Sequence, residues 1–375
     1  PQFATHNAAT MGAVLHLSEQ AGVPPQAFEF QRLHGMGERI YQAMRHNEAN
    51  PPALRVYAPV GAHRDLLAYL VRRLLENGAN ASFVHQLADP AVSIDMLLMS
   101  PSHMAHQHKQ AQPSPIAHPH HLYGPSRNNA TGLDLSTHLH RAAVEQALNH
   151  HRALGASHPP HIATHLQALA AMVDLHAAWP QWESTPLESR CLALERTAQA
   201  MEQDLVSWMA DLMIEGKKTA ADALAEVRET IDYARYYAQQ ARLSLTDTGL
   251  PGPTGERNTW HARGRGVFVC IAPWNFPLAI FGGQVMAALV AGNTVAAKPA
   301  EATPRIGLRF VRLLHACGVP AHAVQAVVGT GAEAGAALLD SPHCAGVAFT
   351  GSVATAKRIQ RQLALADRPI VPLIA

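Results

Sequence analysis

Four short phrases in the second half of the chain place polar groups where an oxyanion, a ribose or a phosphate can be held. Ala272-Pro-Trp-Asn-Phe-Pro277 carries Asn275, whose amide can donate to an oxyanion, between the apolar walls Trp274 and Phe276. Ala297-Lys-Pro-Ala-Glu301 sets Lys298 and Glu301 three apart, a spacing that can hydrogen-bond the two hydroxyls of a ribose. Gly329-Thr-Gly-Ala-Glu-Ala-Gly335 is a glycine-rich turn opening a helix. Phe349-Thr-Gly-Ser352 offers backbone amides and the Ser352 hydroxyl to a pyrophosphate at a helix N-terminus. Singly, each phrase has an ordinary alternative: Asn275 capping a helix, Lys298 solvated, the glycine turn a plain loop. Four in order, each after a strand-like run, make a more specific pattern. Near the start the chemistry differs. Tyr69-Leu-Val-Arg-Arg-Leu-Leu-Glu76 puts Arg72 and Glu76 on one helix face with Arg73 adjacent. Paired arginines can clamp a carboxylate, and the alternative is a solvated face with an ordinary salt bridge. Thr5-His6-Asn7 and the run from Gln31 to Gly37 read as strand-to-loop junctions, where parallel barrels place their sites.

The elements that must carry these groups alternate. Before residue 100, the spacing predicts helices over Met11–Gln20, Gly35–Arg45 and Arg64–Glu76, the last stopped by Asn77-Gly78. Strands are predicted at Leu54–Pro59 and at Asn80–Val84. From residue 166, amphipathic helices over Thr197–Ile214 and Ala220–Ala241 precede a regular alternation. The predicted strands there are 266–272, 294–298, 323–328 and 346–350, and the helices between and after them are 284–291, 305–316 and 354–365. Four β-rich runs separated by helices indicate an open, doubly wound sheet, which binds ligands beyond the carboxyl ends of its strands. Between these zones, residues 101–165 hold 13 of the 24 histidines and many prolines, and read as a linker. A metal-binding His tract is the alternative there, and no metal site is expected.

Composition narrows the function classes. Lys plus Arg total 29 and Asp plus Glu 28, for a net charge of +1, which excludes a strongly basic nucleic-acid binder. Apolar residues make up 48% of the chain, enough for a sizeable core, and no uninterrupted apolar run is long enough to span a membrane. Four scattered cysteines do not make a disulfide framework, which suits a reducing, cytoplasmic setting. Cys270 in a strand and Cys317 in a helix read as small buried residues. Both chain ends fall inside apolar phrases, so the expectation is a piece of a longer protein.

The phrases PWNFP, KPAE and FTGS resemble the motifs of the cofactor-binding half of the aldehyde dehydrogenase superfamily. That resemblance implies that Asn275 helps hold the thiohemiacetal oxyanion. It also implies that NAD is bound by Pro273, Trp274, Lys298, Glu301, Gly331, Gly335, Phe349, Gly351 and Ser352. Within that set, Lys298 and Glu301 take the adenosine ribose and Ser352 the pyrophosphate. A Glu on the ribose disfavours a 2′-phosphate, so NAD rather than NADP is implied. The superfamily's catalytic thiol and general base belong beyond the FTGS phrase, so these 375 residues are expected to lack aldehyde oxidation of their own.

The phrases FATHN, FQRLHGMGE, RVYAPVG and AYLVRRLLENGANASFV resemble the last strands and helices of the proline dehydrogenase barrel. On that resemblance Thr5, His6, Asn7 and Gln31 lie along FAD, and Leu33 and Tyr57 pack against the proline ring. Arg72 and Arg73 bind the proline carboxylate, and Glu76 steadies them near the flavin. The order, barrel then dehydrogenase module, is that of bifunctional enzymes that oxidise proline to glutamate with FAD and then NAD. The fold expected is α/β: residues 1–100 the C-terminal part of a (β/α)8 barrel, 101–165 a linker, and 166–375 the NAD-binding doubly wound half of an aldehyde dehydrogenase. The resemblance further implies the substrates proline and glutamate semialdehyde, a quinone as electron acceptor, a homo-oligomeric parent and peripheral membrane association. The alternative is a non-catalytic NAD-binding module.

Overall fold

The computed structural model describes residues 1–375 apart from 79–82, 112–115 and 155–159, and apart from the side chains of residues 74, 76–78, 84, 88 and 107–111. The chain divides into two compact units, Pro1–Pro115 and Ile116–Ala375.

The first unit opens with β1 (Gln2–Ala4), α1 (Ala8–Gln20), β2 (Glu29–Leu33), α2 (Glu38–Asn47) and β3 (Ala53–Tyr57). It continues with the helices α3 (His63–Gly78), α4 (Phe83–Ala88), α5 (Ile94–Leu97) and α6 (Pro101–Ala111). The three strands pair in parallel in the order β1-β2-β3, an open sheet rather than a closed barrel. Alternate residues face opposite sides. Phe30 joins Met11, Phe28, Tyr41 and Met44 in a core under α1 and α2. The other face is polar: Glu29 accepts from Gln2, Gln31 and Arg55 at 2.9, 2.8 and 2.7 Å. The strand predicted over Asn80–Val84 is not formed at its described end, because Phe83 and Val84 begin α4; the remainder lies outside the described residues.

The second unit begins with four long helices and a shorter one: α7 (His138–Ala153), α8 (His165–Glu183), α9 (Leu187–Gln203), α10 (Leu205–Ile214) and α11 (Ala220–Ser244). The single helix predicted over Thr197–Ile214 is broken at Asp204, which closes α9 and opens α10. A hairpin of β4 (Thr248–Leu250) and β5 (Asn258–Trp260) follows. The alternating part is β6 (Val267–Ile271), α12 (Ala279–Val290), β7 (Thr294–Lys298), α13 (Pro304–Ala316), β8 (Val324–Ala326), α14 (Ala336–Asp340), β9 (Cys344–Phe349), α15 (Val353–Leu365) and β10 (Leu373–Ile374).

These five strands form one parallel sheet, β10-β9-β6-β7-β8, in which the order reverses at β6. Both faces are covered. Phe268 and Cys270 of β6 and Val295 and Ala297 of β7 pack against α9 to α13. Val267 and Val269 of β6, Ala296 of β7 and Val347 of β9 pack against α8, α14 and α15. Strands buried on both sides read as continuous apolar runs, which is why the sequence shows them clearly. The stretch read as a linker is partly built into this unit. Val144 of α7 is buried with the α9–α13 layer, and the Ala130 amide donates to Asp232 at 2.7 Å. The second unit therefore starts well before residue 166, since histidine on the outer side of a helix does not prevent its other side from packing.

Candidate active site

At the carboxyl edge of the five-stranded sheet four loops meet, one after each of β6, β7, β8 and β9. Their backbones are stitched together. The Ala272 amide donates to the Lys298 carbonyl at 3.4 Å, the Val327 amide to Ala297 at 2.8 Å, and the Thr350 amide to Ile271 at 3.0 Å. Gln284 of α12 donates to the Thr350 hydroxyl at 3.0 Å, tying the two loops that flank the reversal of strand order. Open α/β sheets bind ligands at this crevice.

Lys298 ends β7 and is only 4% exposed, so it is not the solvated lysine of the ordinary alternative. Burial pushes its ammonium below the usual lysine range, and the Glu301 charge opposes that shift. Its stem runs beneath Gly335, where an added Cβ would lie 3.6 Å from Lys298 Cε. Glu301 is exposed, and its carboxylate accepts from the Gly331 amide at 2.8 Å. The KPAE phrase and the glycine turn, a π-helical turn over Gly331–Gly335, thus form one cluster.

Ser352 caps α15 by accepting from the Thr355 amide at 3.2 Å, so the helix N-terminus predicted from the FTGS phrase is present. Gly351 serves a packing need: an added Cβ would meet the Phe349 ring at 2.6 Å. Phe349 itself is a core residue among α8, α14 and α15, and its ring lies against Gly351 of the loop. Asn275 is exposed and caps nothing, which leaves its amide free of the helix-capping role. Trp274, 63% exposed, and Phe276 flank it, and Pro273 is half-buried.

Two residues that sequence reasoning missed hold this loop. Glu226 of α11 is almost fully buried, and one oxygen accepts from the Leu278 and Ala279 amides at 2.8 and 3.1 Å. Its other oxygen lies 2.6 Å from Lys218 Nζ, and that ammonium sits 4.1 Å from the centre of the Phe276 ring. The pair caps α12 and anchors the segment carrying Asn275. The available signal was a carboxylate inside the apolar stripe Ala223, Leu224, Val227, Thr230 and Ile231.

The four cysteines are all buried. Burial pushes the Cys191 and Cys270 thiols up, and the Cys344 thiol up to about 11, so none of these three is a ready nucleophile. Among the described residues no group of three or more His, Cys, Asp or Glu side chains converges as a metal would need. No helix among them is long and apolar enough to cross a membrane.

In the first unit, the residues after the strands come together at the carboxyl ends of β1, β2 and β3. Leu33 and Tyr57 are register partners at the ends of β2 and β3. Thr5, His6 and Asn7 follow β1; Asn7 accepts from the Thr10 amide at 3.0 Å and so caps α1. The Tyr41 hydroxyl lies 2.5 Å from the Thr5 carbonyl and 2.9 Å from that of Gln31, fixing β1 to β2. Gly37, at φ 66°, leaves room for His6, whose Cδ2 would be 2.8 Å from an added Cβ. Gln31 spends its amide on Glu29. Arg73 lies 5.5 Å from the Tyr69 ring of its own helix, and Arg72 is exposed. Leu67, Leu70, Val71 and Leu75 of α3 are exposed too, so its apolar side is not packed as a barrel helix requires. The Glu76 side chain lies outside the described residues.

A doubly wound sheet with a helix N-terminus, a buried lysine and a glycine turn along its carboxyl edge is the kind of α/β architecture that dinucleotide-dependent dehydrogenases use. The chain belongs to the aldehyde dehydrogenase family, which it matches over residues 157–373, and it matches the proline dehydrogenase family over residues 1–86. It is similar to the bifunctional protein PutA of Rhizobium meliloti, 41% identical over all of this chain and 32% of that protein. A crystal structure of Bradyrhizobium japonicum proline utilization A (PutA) superposes with a TM-score of 0.82 at 49% identity, covering 100% of this chain and 37% of that one. A Thermus 1-pyrroline-5-carboxylate dehydrogenase with bound NAD matches with a TM-score of 0.62 at 28% identity, over 66% of this chain and 54% of that one. The chain spans about a third of the length of the curated relatives that match all of it.

Proposed function

We propose that this chain is the junction of a bifunctional enzyme that oxidises proline with FAD and then oxidises glutamate semialdehyde to glutamate with NAD. The observation that carries this is the cluster of Lys298, Glu301 and the Gly331–Gly335 turn, set at the same carboxyl edge of the sheet as the α15 N-terminus that Ser352 caps.

The residues present fit NAD. Lys298 and Glu301 would take the adenosine ribose, and the amides at Gly351 with the Ser352 hydroxyl would take the pyrophosphate at the α15 N-terminus. Trp274, Pro273 and the buried Phe349 shape the walls. When bound, the nicotinamide accepts hydride. The chain's own part is to orient: the Asn275 amide donates to an oxyanion at the substrate carbonyl, held in place by the loop that Glu226 and Lys218 anchor. With its thiols buried, the chain by itself binds the nucleotide without oxidising aldehyde, which keeps the binding-module reading alive for this segment.

The first unit fits FAD and proline only in part. Thr5, His6, Asn7 and Gln31 lie near the carboxyl ends of β1 and β2 beside Leu33 and Tyr57, while Arg72 is exposed on α3, whose apolar side chains Leu67, Leu70, Val71 and Leu75 are exposed too. For the whole protein we propose a quinone as the electron acceptor, self-association, and a cytoplasmic location with peripheral membrane contact.

Calorimetric titration of NAD into the chain and into Glu301→Ala tests this reading. Losing a hydrogen bond to a charged group costs about 1.5–3 kcal/mol, so the variant should bind roughly ten- to a hundred-fold more weakly. Unchanged affinity, or NADH formation from glutamate semialdehyde by the chain alone, would show that the site is placed wrongly.

A further inference from the structure

The opposite edge of the same sheet holds a second concavity. The segments entering β6, β9 and β10 and the middle of α8 line a half-open cavity of about 400 Å³. Its lining includes His176, Arg265, His343 and Arg368, and contains no carboxylate. The His176 and His343 rings stack with centroids 4.2 Å apart at an interplanar angle of 19°. Burial, and after it the facing His176 ring, lowers the His343 imidazole below its ordinary value, a shift that a negative charge beside it would oppose.

The two arginines are short of anionic partners. Arg368 donates its terminal nitrogens to the carbonyls of Ser341 and Leu339, at 2.5 and 2.6 Å, which caps the end of α14. Its Nε is buried and has no hydrogen-bond partner among the described residues. The Arg265 side chain makes one long contact among the described residues, 3.5 Å to the Ala345 carbonyl. A buried guanidinium N–H without an acceptor is costly, and neutral carbonyls do not offset the charge.

We propose that this cavity is a binding site for a small, multiply charged oxyanion, with inorganic phosphate as the simplest example, held by Arg265, Arg368, His176 and His343. Fixed arginine forks match the tetrahedral oxygens of such an ion, and a pair of imidazoles supplies further donors once one ring takes up a proton. A cation is disfavoured by the absence of carboxylates in the lining. The site lies at the amino ends of the strands, across the sheet from the nucleotide crevice. Bound anion would clamp the turns that launch β6, β9 and β10, the three strands on the side where the order reverses.

The test is a phosphate titration of the 375-residue chain, read on the ring resonances of His176 and His343, with chloride at matched ionic strength as the control. Phosphate should shift both rings saturably and chloride should not. Arg265 is exposed, and replacing it leaves the cap made by Arg368 intact, so Arg265→Ala should fold and weaken phosphate about tenfold or more, the effect of one lost charge-assisted hydrogen bond. Ser352→Ala, which alters the distant helix N-terminus, should leave the titration unchanged. The proposal is overturned if the rings do not respond, if chloride moves them equally, if Arg265→Ala titrates like the parent, or if Ser352→Ala abolishes the response.

Discussion

Replacing Glu226 with alanine should destabilise the second unit more than any exposed substitution. The carboxylate is buried, it accepts from two amides at the start of α12, and its other oxygen is 2.6 Å from an ammonium whose side chain is only 11% exposed. Removing one partner of such a pair leaves an uncompensated buried charge, a loss of about 3–5 kcal/mol. Domains are stable by about 5–15 kcal/mol in total, so the urea midpoint should fall by about a fifth or more. Lys218→Met in the same chain removes the stranded charge, and the double variant should recover at least half of the loss, leaving mainly the two uncapped amides. All five tryptophans lie in the second unit, at 179, 182, 208, 260 and 274, so their fluorescence follows this unit alone. A Glu226→Ala chain within about 1 kcal/mol of the parent, or a double variant no more stable than the single, would refute the reasoning.

Other outcomes follow from the same geometry. Gly351→Ala forces a Cβ against the Phe349 ring and should lower NAD affinity, measured by calorimetry, more than it lowers stability. In the first unit, Arg55 and Gln31 hold the Glu29 carboxyl down at about 2, below its ordinary value. The stability this gives is therefore present above the unfolded carboxyl's range near pH 4.3 and is lost as pH falls towards 2. Arg55→Ala should shift the Glu29 titration, followed by carboxyl NMR, back towards the ordinary value. Because burial lowers the Lys298 ammonium, the folded chain binds fewer protons there than the unfolded one, and stability rises as pH passes from the lowered value to the ordinary one. Lys298→Met should remove that rise and weaken NAD.

Sequence reasoning reached β6, β7 and β9 and their loops because these strands are buried on both faces and each ends in a phrase with few conformational options. It failed where tertiary contact overrode local pattern. The apolar spacing runs on through Asp204, yet the helix breaks there. Thr248–Leu250 and Asn258–Trp260 lack the alternation that announces strands, and pair only through their hairpin. Glu226 reads as one more charge on a long helix, because a helix pattern does not say which neighbour will supply two amides and an ammonium. The histidine-rich stretch reads as a linker by composition, while α7 buries Val144 with the unit that follows it.

The strand order β10-β9-β6-β7-β8 also sets a schedule for synthesis. One side of β6 is paired by β7 as soon as residues 294–298 emerge, but its other side waits for β9, which ends at Phe349, 78 residues after Ile271. At ribosomal rates of about 5–20 residues per second, that interval is roughly 4–16 s. For that time β6 presents an open edge, with Val267 and Val269 covered by α8 but not yet by α15. An edge of this kind is a template for pairing with another chain. The central position that places β6 at the crevice where the strand order reverses therefore leaves the nascent chain open to association until β9 arrives.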